Sequence, residues 1–391
     1  MQLPSDVIYI LDTYRRFGHE AFVVGGPVRD ALLGGEPKDY DLTTDATPEE
    51  TLAIFHDRRV VETGIAHGTL TLVLSGVPYE ITTYRIDGEY SDYRHPVGVT
   101  FTRSLKEDLA RRDFTVNAMA YHPDFGVVDP FDGTQDLSRR LLRAVGEPRR
   151  RFEEDALRIL RGLRFAAVLG FAIEDETAAA MRALKHLVQN VSVERVLVEV
   201  RKLLVGKAAD AVLGAYGDIL TAAIPELCFS LPAPLPDTLD ADGRLVALIA
   251  YSRLSRSEAR ALLERLHTDR ALRTLSDAVL SVLDMPKETD FDLLVMARRV
   301  GYQHACIALI VDDFCRGVTT DTAARLADLS LRGVPVSVSE LAIGGADVVA
   351  LGIRGERVGR LLDEVLTLVM QGKLENEREP LLAALCELAG A

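Results

Sequence analysis

Residues Val23 to Thr47 read VVGGPVRDALLGGEPKDYDLTTDAT, and the fold turns on this stretch. The apolar run Ala21–Val24 predicts a short strand ending at Gly25-Gly26. A helix around Arg29–Leu33 follows at once. Backbone N–H groups of the glycine turn and of the helix start then face one spot, a ready site for an anion. Arg29 on the first turn adds a guanidinium whose fork suits phosphate. Tyr40–Thr43 predicts a second strand. Asp39 and Asp41, two apart, then face the same way, and paired hard oxygens suit Mg2+ that also binds substrate phosphates. Thr47 caps a further helix opened by Pro48. An Asp-x-Asp pair recurs at Asp240/Asp242 and Asp290/Asp292, so the pair alone says little, and Gly-Gly before a helix is also an ordinary tight turn. The residues by themselves leave both readings open: a nucleotide and metal site, or a plain turn beside a strand.

Outward from this stretch, Val7–Phe17 has helical spacing, and Gly68–Leu74 alternates strictly before Val77-Pro78 turns it back into Tyr79–Tyr84. Up to about Val128 the chain reads as mixed α/β with a hairpin. From about Arg151 the pattern is helical: Leu157, Leu160, Phe165 and Val168 repeat at helical spacing, as do Val193–Leu204 and Ala259–Leu266. Leu231–Pro236, with three prolines, interrupts the helices. The last part begins near Val334 with an extended run, Val334–Val338, followed by helical runs at Gly345–Leu351, Val358–Met370 and Asn376–Leu385.

The 391 residues carry 45 basic and 59 acidic side chains, net −14, and 48% are hydrophobic. That is enough apolar material for several cores, at about 100–200 residues per domain. No apolar run approaches the roughly 20 residues of a membrane span, and no basic segment precedes the first apolar stretch. The four cysteines include no CxxC pair, so a cytoplasmic chain without zinc or a disulfide framework is expected. The acidic total argues against a polyanionic partner until it is divided. Residues 1–138 hold 12 basic and 23 acidic groups, 139–207 hold 15 and 9, and 208–391 hold 18 and 27. A basic middle lies between acidic ends.

Two further stretches carry chemistry. DLARRDFTVNAMAY (Asp108–Tyr121) reads as a helix start with two arginines. FEEDALRILRGLRFAAVLGF (Phe152–Phe171) sets Asp155, Arg158 and Arg161 three apart along a helix ridge that Arg164 continues. A solvated charged face is the plainer reading of that ridge. The other is a carboxylate beside a guanidinium, offering acceptors and donors to the Watson–Crick edge of a base. Glu80 lies on the second strand of the hairpin, and Arg85–Val99 is a polar loop long enough to be functional.

GGPVRD followed by DYDLTTDAT resembles the signature of the DNA polymerase β-like nucleotidyltransferases. More narrowly, it is similar to the bacterial tRNA nucleotidyltransferase and poly(A) polymerase family of the class II CCA-adding type. RRDFT-x-NA and the Phe152–Phe171 run match that family in the same order. The resemblance implies that Asp39 and Asp41 ligate catalytic metals and that Gly26 and Arg29 bind the triphosphate. It implies that Arg112 contacts phosphate or ribose, while Asp113 orients its neighbours. Asp155 and Arg158 read the base, accepting C and A without a nucleic-acid template, and Arg161 and Arg164 are further nucleotide contacts. Glu154 fits the pattern, and Glu80 is a candidate third carboxylate. The Arg85–Val99 loop would serve the switch from CTP to ATP, which argues against a CC-only enzyme. The likeness is dense from Val23 to Phe171, continues in Glu194–Leu204, returns in the tail from Gly345, and is thin between about Cys228 and Gly333.

The expected fold is α+β: a nucleotidyltransferase head with a small mixed β-sheet (1–138), then an all-helical neck with the nucleotide-recognising helix (139–207), body (208–333) and tRNA-binding tail (334–391). The expected reaction adds C, C and A to tRNA 3′ ends from CTP and ATP, with two Mg2+ ions and release of pyrophosphate. The expected partner is the tRNA acceptor arm, with no membrane and no stable protein partner. An A-adding-only enzyme or a bacterial poly(A) polymerase shares these residues. A small-molecule nucleotidyltransferase is disfavoured by the long helical tail, and an inactive RNA-binding protein by the intact Asp39, Asp41 and Arg158.

Overall fold

In the computed structural model, which describes residues 1–88 and 98–390, helix α1 (Ser5–Arg16) buries Val7, Ile10, Leu11 and Tyr14 along one face, the spacing of an amphipathic helix. The strands that follow are β1 (Ala21–Val24), β2 (Asp41–Thr44), β3 (Arg59–Gly64), β4 (Thr69–Leu74), β5 (Val77–Thr83), β6 (Arg85–Asp87), β7 (Val99–Phe101), β8 (Ala120–His122) and β9 (Gly126–Val128). Seven of them form one mixed sheet in the order β3-β4-β5-β2-β1-β8-β9. Within it β2 and β5 run parallel, and the other pairs are antiparallel. Strands β6 and β7 pair separately. They bound the stretch read as a polar loop, whose centre, 89–97, lies outside the described residues.

Between the strands lie α2 (Gly26–Leu32), α3 (Pro48–Ile54) and α4 (Leu105–Ala110). The expected Thr47 cap is present as a full capping box: Glu50 N–H donates to Thr47 Oγ1, and Thr47 N–H donates to the Glu50 carboxylate. Thr47→Ala is expected to cost about 1 kcal/mol, read as a lower urea midpoint with an unchanged slope. The hairpin turn is not at Val77-Pro78. It is Ser75-Gly76, both at positive φ, which suits the twist of a two-residue hairpin, and Pro78 sits inside β5 opposite Val73.

The remainder is helical, as expected, apart from one short strand pair in the neck. After α5 (Gly133–Ser138) come β10 (Leu141–Leu142), α6 (Pro148–Glu154), α7 (Leu157–Leu169), β11 (Ala172–Ile173), α8 (Asp175–Ala183), α9 (Val193–Leu204) and α10 (Ala209–Ala223). Strands β10 and β11 make a small parallel pair. Leu157, Leu160 and Phe165 of α7 are buried, but Val168 is exposed; it is one of the side chains left on the open side of that helix. The second unit contains α11 (Ala241–Tyr251), α12 (Arg256–Arg265), α13 (Arg270–Val282), α14 (Asp290–Val300), α15 (Tyr302–Arg316), α16 (Thr322–Leu331), α17 (Gly345–Ala350), α18 (Glu356–Met370) and α19 (Arg378–Ala389). Helix α11 is its core, buried continuously from Gly243 to Ala250. The run Val334–Val338 is not a strand but irregular chain entering a short 3-10 turn.

Contacts divide the chain into Met1–Pro225 and Glu226–Ala391. Residues 1–207 lie within the first unit, where α10 also packs on α7. Among the described residues no single helix is long and apolar enough to cross a membrane, and all four cysteines are free.

Candidate nucleotide and metal site

The glycine turn forms as read. Gly25 has φ +76° and ψ −127°, a conformation that strains any residue with a Cβ. A Cβ there would stand 3.0 Å from Arg112 Nη1. Gly25→Ala is expected to cost about 2 kcal/mol, read as a lower urea midpoint, and to push Arg112 aside.

Gly26, Asp39 and Asp41 line one cleft of about 550 Å³, with Asp30 and Glu36. The glycine turn and the carboxylate pair thus converge, although only Asp41 is on the strand. Asp39 lies in the bend before β2, so its place beside Asp41 comes from the loop's path and not from strand alternation. Asp41 is in register with Glu80 on the parallel neighbour β5. Protein packed around the Asp41 carboxyl raises its pKa. Glu80 raises it further, Arg112 pulls it back, and Asp39 adds a smaller upward push. Crowded carboxylates facing a cleft are a fit for a hard divalent cation shared with substrate phosphates. Among the described residues, no three His, Cys, Asp or Glu side chains are spaced to hold an ion by themselves.

The arginines are held more tightly than a solvated ridge would require. Arg29 is buried. Its Nε donates to Asp30 (2.8 Å) and its Nη1 to Asn117 Oδ1 (2.6 Å). Asn117 Nδ2 in turn donates to Asp113 Oδ1 at 3.1 Å. On the other carboxylate oxygen, Asp113 accepts from Arg161 Nε and Nη2 at 2.8 and 2.6 Å. Burial alone would raise the Asp113 pKa, but Arg161, Asn117 and the Phe114 N–H together hold it down at about 2. Arg164 forms an ion pair with Glu199 of α9 at 2.7 Å. The Arg29, Arg161 and Arg164 guanidiniums all lie over the Phe165 ring, at 5.2, 5.4 and 3.8 Å from its centre, within cation–π range. Burial lowers the Arg112 pKa, against the pull of Asp108.

Asp155 and Arg158 differ from the reading of a single helix ridge. Asp155 is extended and ends α6, at the break before α7, so the ridge starts at Arg158. The Asp155 carboxylate caps the Leu157 N–H and pairs with Arg195 at 3.2 Å. Arg158 is buried. It donates to Glu154 at 2.9 Å and to the carbonyls of Arg151 and Arg111 at 3.1 and 2.9 Å. The two side chains meet other partners, not each other.

Residues the motifs did not single out complete the arrangement: Asn117, which joins Arg29 to Asp113, Phe165, the shared platform, and Glu199. Asn117 lies inside the quoted RRDFT-x-NA run, and its uncharged amide amid charged neighbours was the available signal. Nothing local marks Phe165 as more than a core residue.

A family model for the poly A polymerase head domain matches residues 21–143. A second, described as a probable RNA and SrmB-binding site of polymerase A, matches 170–215. The CCA-adding enzyme of Levilactobacillus brevis is 36% identical, over 97% of this chain and 96% of that protein. That of Limosilactobacillus fermentum is 38% identical, over 98% and 96%. The Bacillus stearothermophilus CCA-adding enzyme, solved in complex with CTP, superposes with a TM-score of 0.76 at 31% identity, covering 100% of this chain and 98% of that one. With likeness extending along the whole of both proteins, and with the glycine turn and its two aspartates on one cleft, the chain belongs to the CCA-adding enzyme family.

Proposed function

We propose that this chain completes tRNA 3′ ends, adding C, C and A from CTP and ATP and releasing pyrophosphate. The observation that carries the reading is the convergence of Gly26, Asp39 and Asp41 on one cleft, in a chain alike along its whole length to CCA-adding enzymes.

In this reading Asp39 and Asp41 hold the catalytic cations, taken as Mg2+, and Glu80 supports Asp41 from β5. When bound, the cations favour the ionised 3′-hydroxyl and neutralise charge on the triphosphate. The 3′-oxygen attacks the α-phosphorus, the bond to the β-phosphate oxygen breaks, and pyrophosphate leaves with the electron pair. Gly26 brings backbone close to the triphosphate, with Arg29 and Arg112 as its cations, and Arg161 and Arg164 flank the nucleotide on α7. Base reading falls to Asp155 and Arg158. Since Arg195 and Glu154 hold them here, that reading requires the two ion pairs to exchange partners when a nucleotide enters. The primer, the acceptor arm of tRNA, is gripped by shape and backbone, with the tail, 334–391, among its contacts.

The test uses tRNA transcripts ending before the tail, after the first C and after CC, each given CTP, ATP or both. Growth of the shortest to full CCA is expected. Extension of the CC-ending primer alone identifies an A-adder, and long A-tails on unrelated RNA identify a poly(A) polymerase.

A further inference from the structure

Three cations of the first unit share one ring. The guanidinium of Arg29, on α2, and those of Arg161 and Arg164, on α7, stand 5.2, 5.4 and 3.8 Å from the centre of Phe165. Arg161 and Phe165 are four apart and Arg161 and Arg164 three apart, so one face of α7 carries all three. Each guanidinium has a carboxylate of its own: Asp30 at 2.7 Å, Asp113 at 2.6 Å and Glu199 at 2.7 Å. What the three have in common is the ring. Like charges this close repel. Burial lowers the Arg164 pKa, and Arg161 and Arg29 push it the same way. The negative face of an aromatic ring offsets such crowding, and an aliphatic side chain does not.

The ring is itself fixed. Phe114 meets it edge-on, with centres 5.9 Å apart. Gly162 allows this approach, since a Cβ there would stand 3.0 Å from Phe114 Cζ. Phe114 follows Asp113, so the carboxylate that anchors Arg161 and the ring that braces Phe165 are neighbours in the chain. Phe165 is 6% exposed. It therefore offers no open face for a base to stack on and acts only through the cations. The cations keep donors, because a guanidinium has five N–H groups. Arg161 directs Nε and Nη2 to Asp113, and its Nη1 makes no hydrogen bond among the described residues. Arg29 directs Nε to Asp30 and Nη1 to Asn117, and N–H groups remain on it as well.

We infer that Phe165 is a positioning residue of the nucleotide site: its face gathers the three guanidiniums so that their remaining N–H groups converge on the phosphates of CTP or ATP. The inference rests on the function proposed above. Arginine both stacks on an aromatic face and presents a fork to phosphate, so one ring can hold several such forks in place. The phosphates are common to both nucleotides. The ring should therefore matter equally to CTP and ATP and leave the choice of base alone.

The experiment measures Kd for CTP and for ATP by equilibrium dialysis with Mg2+, together with KM, kcat and thermal melts. The full chain carries ordinary, mono-, di- or trifluorinated phenylalanine at position 165. Fluorine drains the negative face of the ring while barely changing its size. Each fluorine is expected to raise both Kd values about two-fold, reaching about ten-fold for three, with level melts. KM for the two nucleotides should rise in step and kcat change less, while KM for tRNA and the preference over UTP and GTP stay as they were. Phe165→Leu, which fills much of the space without the face, should match the trifluorinated protein in Kd even where its melt is lower. The same fluorinated series at Phe152, a fully buried ring with no guanidinium over it among the described residues, should leave Kd unchanged. Flat Kd values across the series at position 165 overturn the inference, since a residue that only fills space would give them. So does a near wild-type Kd in Phe165→Leu, a rise for one nucleotide alone, or an equal rise in the Phe152 series. A wild-type protein that binds CTP and ATP but extends no tRNA would instead overturn the proposed function, while leaving this comparison readable.

Discussion

Asp41→Asn is expected to lower kcat for CTP incorporation by about a thousand-fold or more and to leave tRNA binding nearly unchanged. Loss of a charged metal ligand removes several kcal/mol of stabilisation from the transition state, at about 1.4 kcal/mol per decade of rate. The folded state itself should not suffer. The Asp41 pKa is raised by the surrounding protein, Glu80 and Asp39. Such a group stabilises the fold below its unfolded pKa, and that stability is lost as pH rises through the raised value. At neutral pH the ionised carboxylate is therefore a cost. Asn removes it, so melting without metal should stay level or rise slightly, as at other sites where function holds like charges together. Mg2+ should raise the melting temperature of the wild type but not of the variant. Transfer within ten-fold of wild type, or an undiminished Mg2+ shift, would show that the metal is not held at Asp41.

Asp113→Asn should have the largest effect on stability. Asp113 receives Arg161 twice, Asn117 and the Phe114 N–H, and breaking a buried ion pair costs roughly 3–5 kcal/mol. For a unit of this size that is a fall of about 6–20 °C in melting temperature. The pH dependence follows from a carboxylate held at about 2 against an ordinary 3.8. Its stabilisation is fully present above the unfolded pKa and is lost as pH falls toward the folded one. That part amounts to about 2 kcal/mol. The stability gap between wild type and variant should be flat from pH 7 to about 5 and narrow between about 4 and 2. A gap of the same size at pH 3 and pH 7 contradicts the assignment. KM for CTP should rise as well, since Arg29 rests on Asn117 and Asn117 on Asp113.

The parts of the fold that could be read locally were those governed by local rules. Thr47, Pro48 and Glu50 carry their own helix start. The alternation of Thr69–Leu74 matches a strand that buries Leu70, Leu72 and Leu74. The glycine turn followed by a short helix needed no distant partner. Where neighbouring signals conflicted, the reading slipped. Val77-Pro78 looked like a turn, but Ser75-Gly76 adopts positive φ more cheaply. Helical spacing ran through Asp155, yet its carboxylate caps the next helix instead of continuing the last.

Residue order alone determined a glycine turn before a short helix, a mixed α/β first part and a helical remainder, because turns, caps and amphipathic faces are set within a few residues; that the first part is a nucleotidyltransferase head was implied by the family resemblance. Which acceptor each guanidinium meets was decided only by the folded structure. Arg161 finds Asp113 and Arg29 finds Asn117 across 48 and 88 residues of chain, and Arg158 passes by Asp155 to reach Glu154. By sequence, every one of these cations has several acids and amides within reach. Burial makes an unpaired charge costly, and the packing of α7 against the head leaves one low-energy assignment.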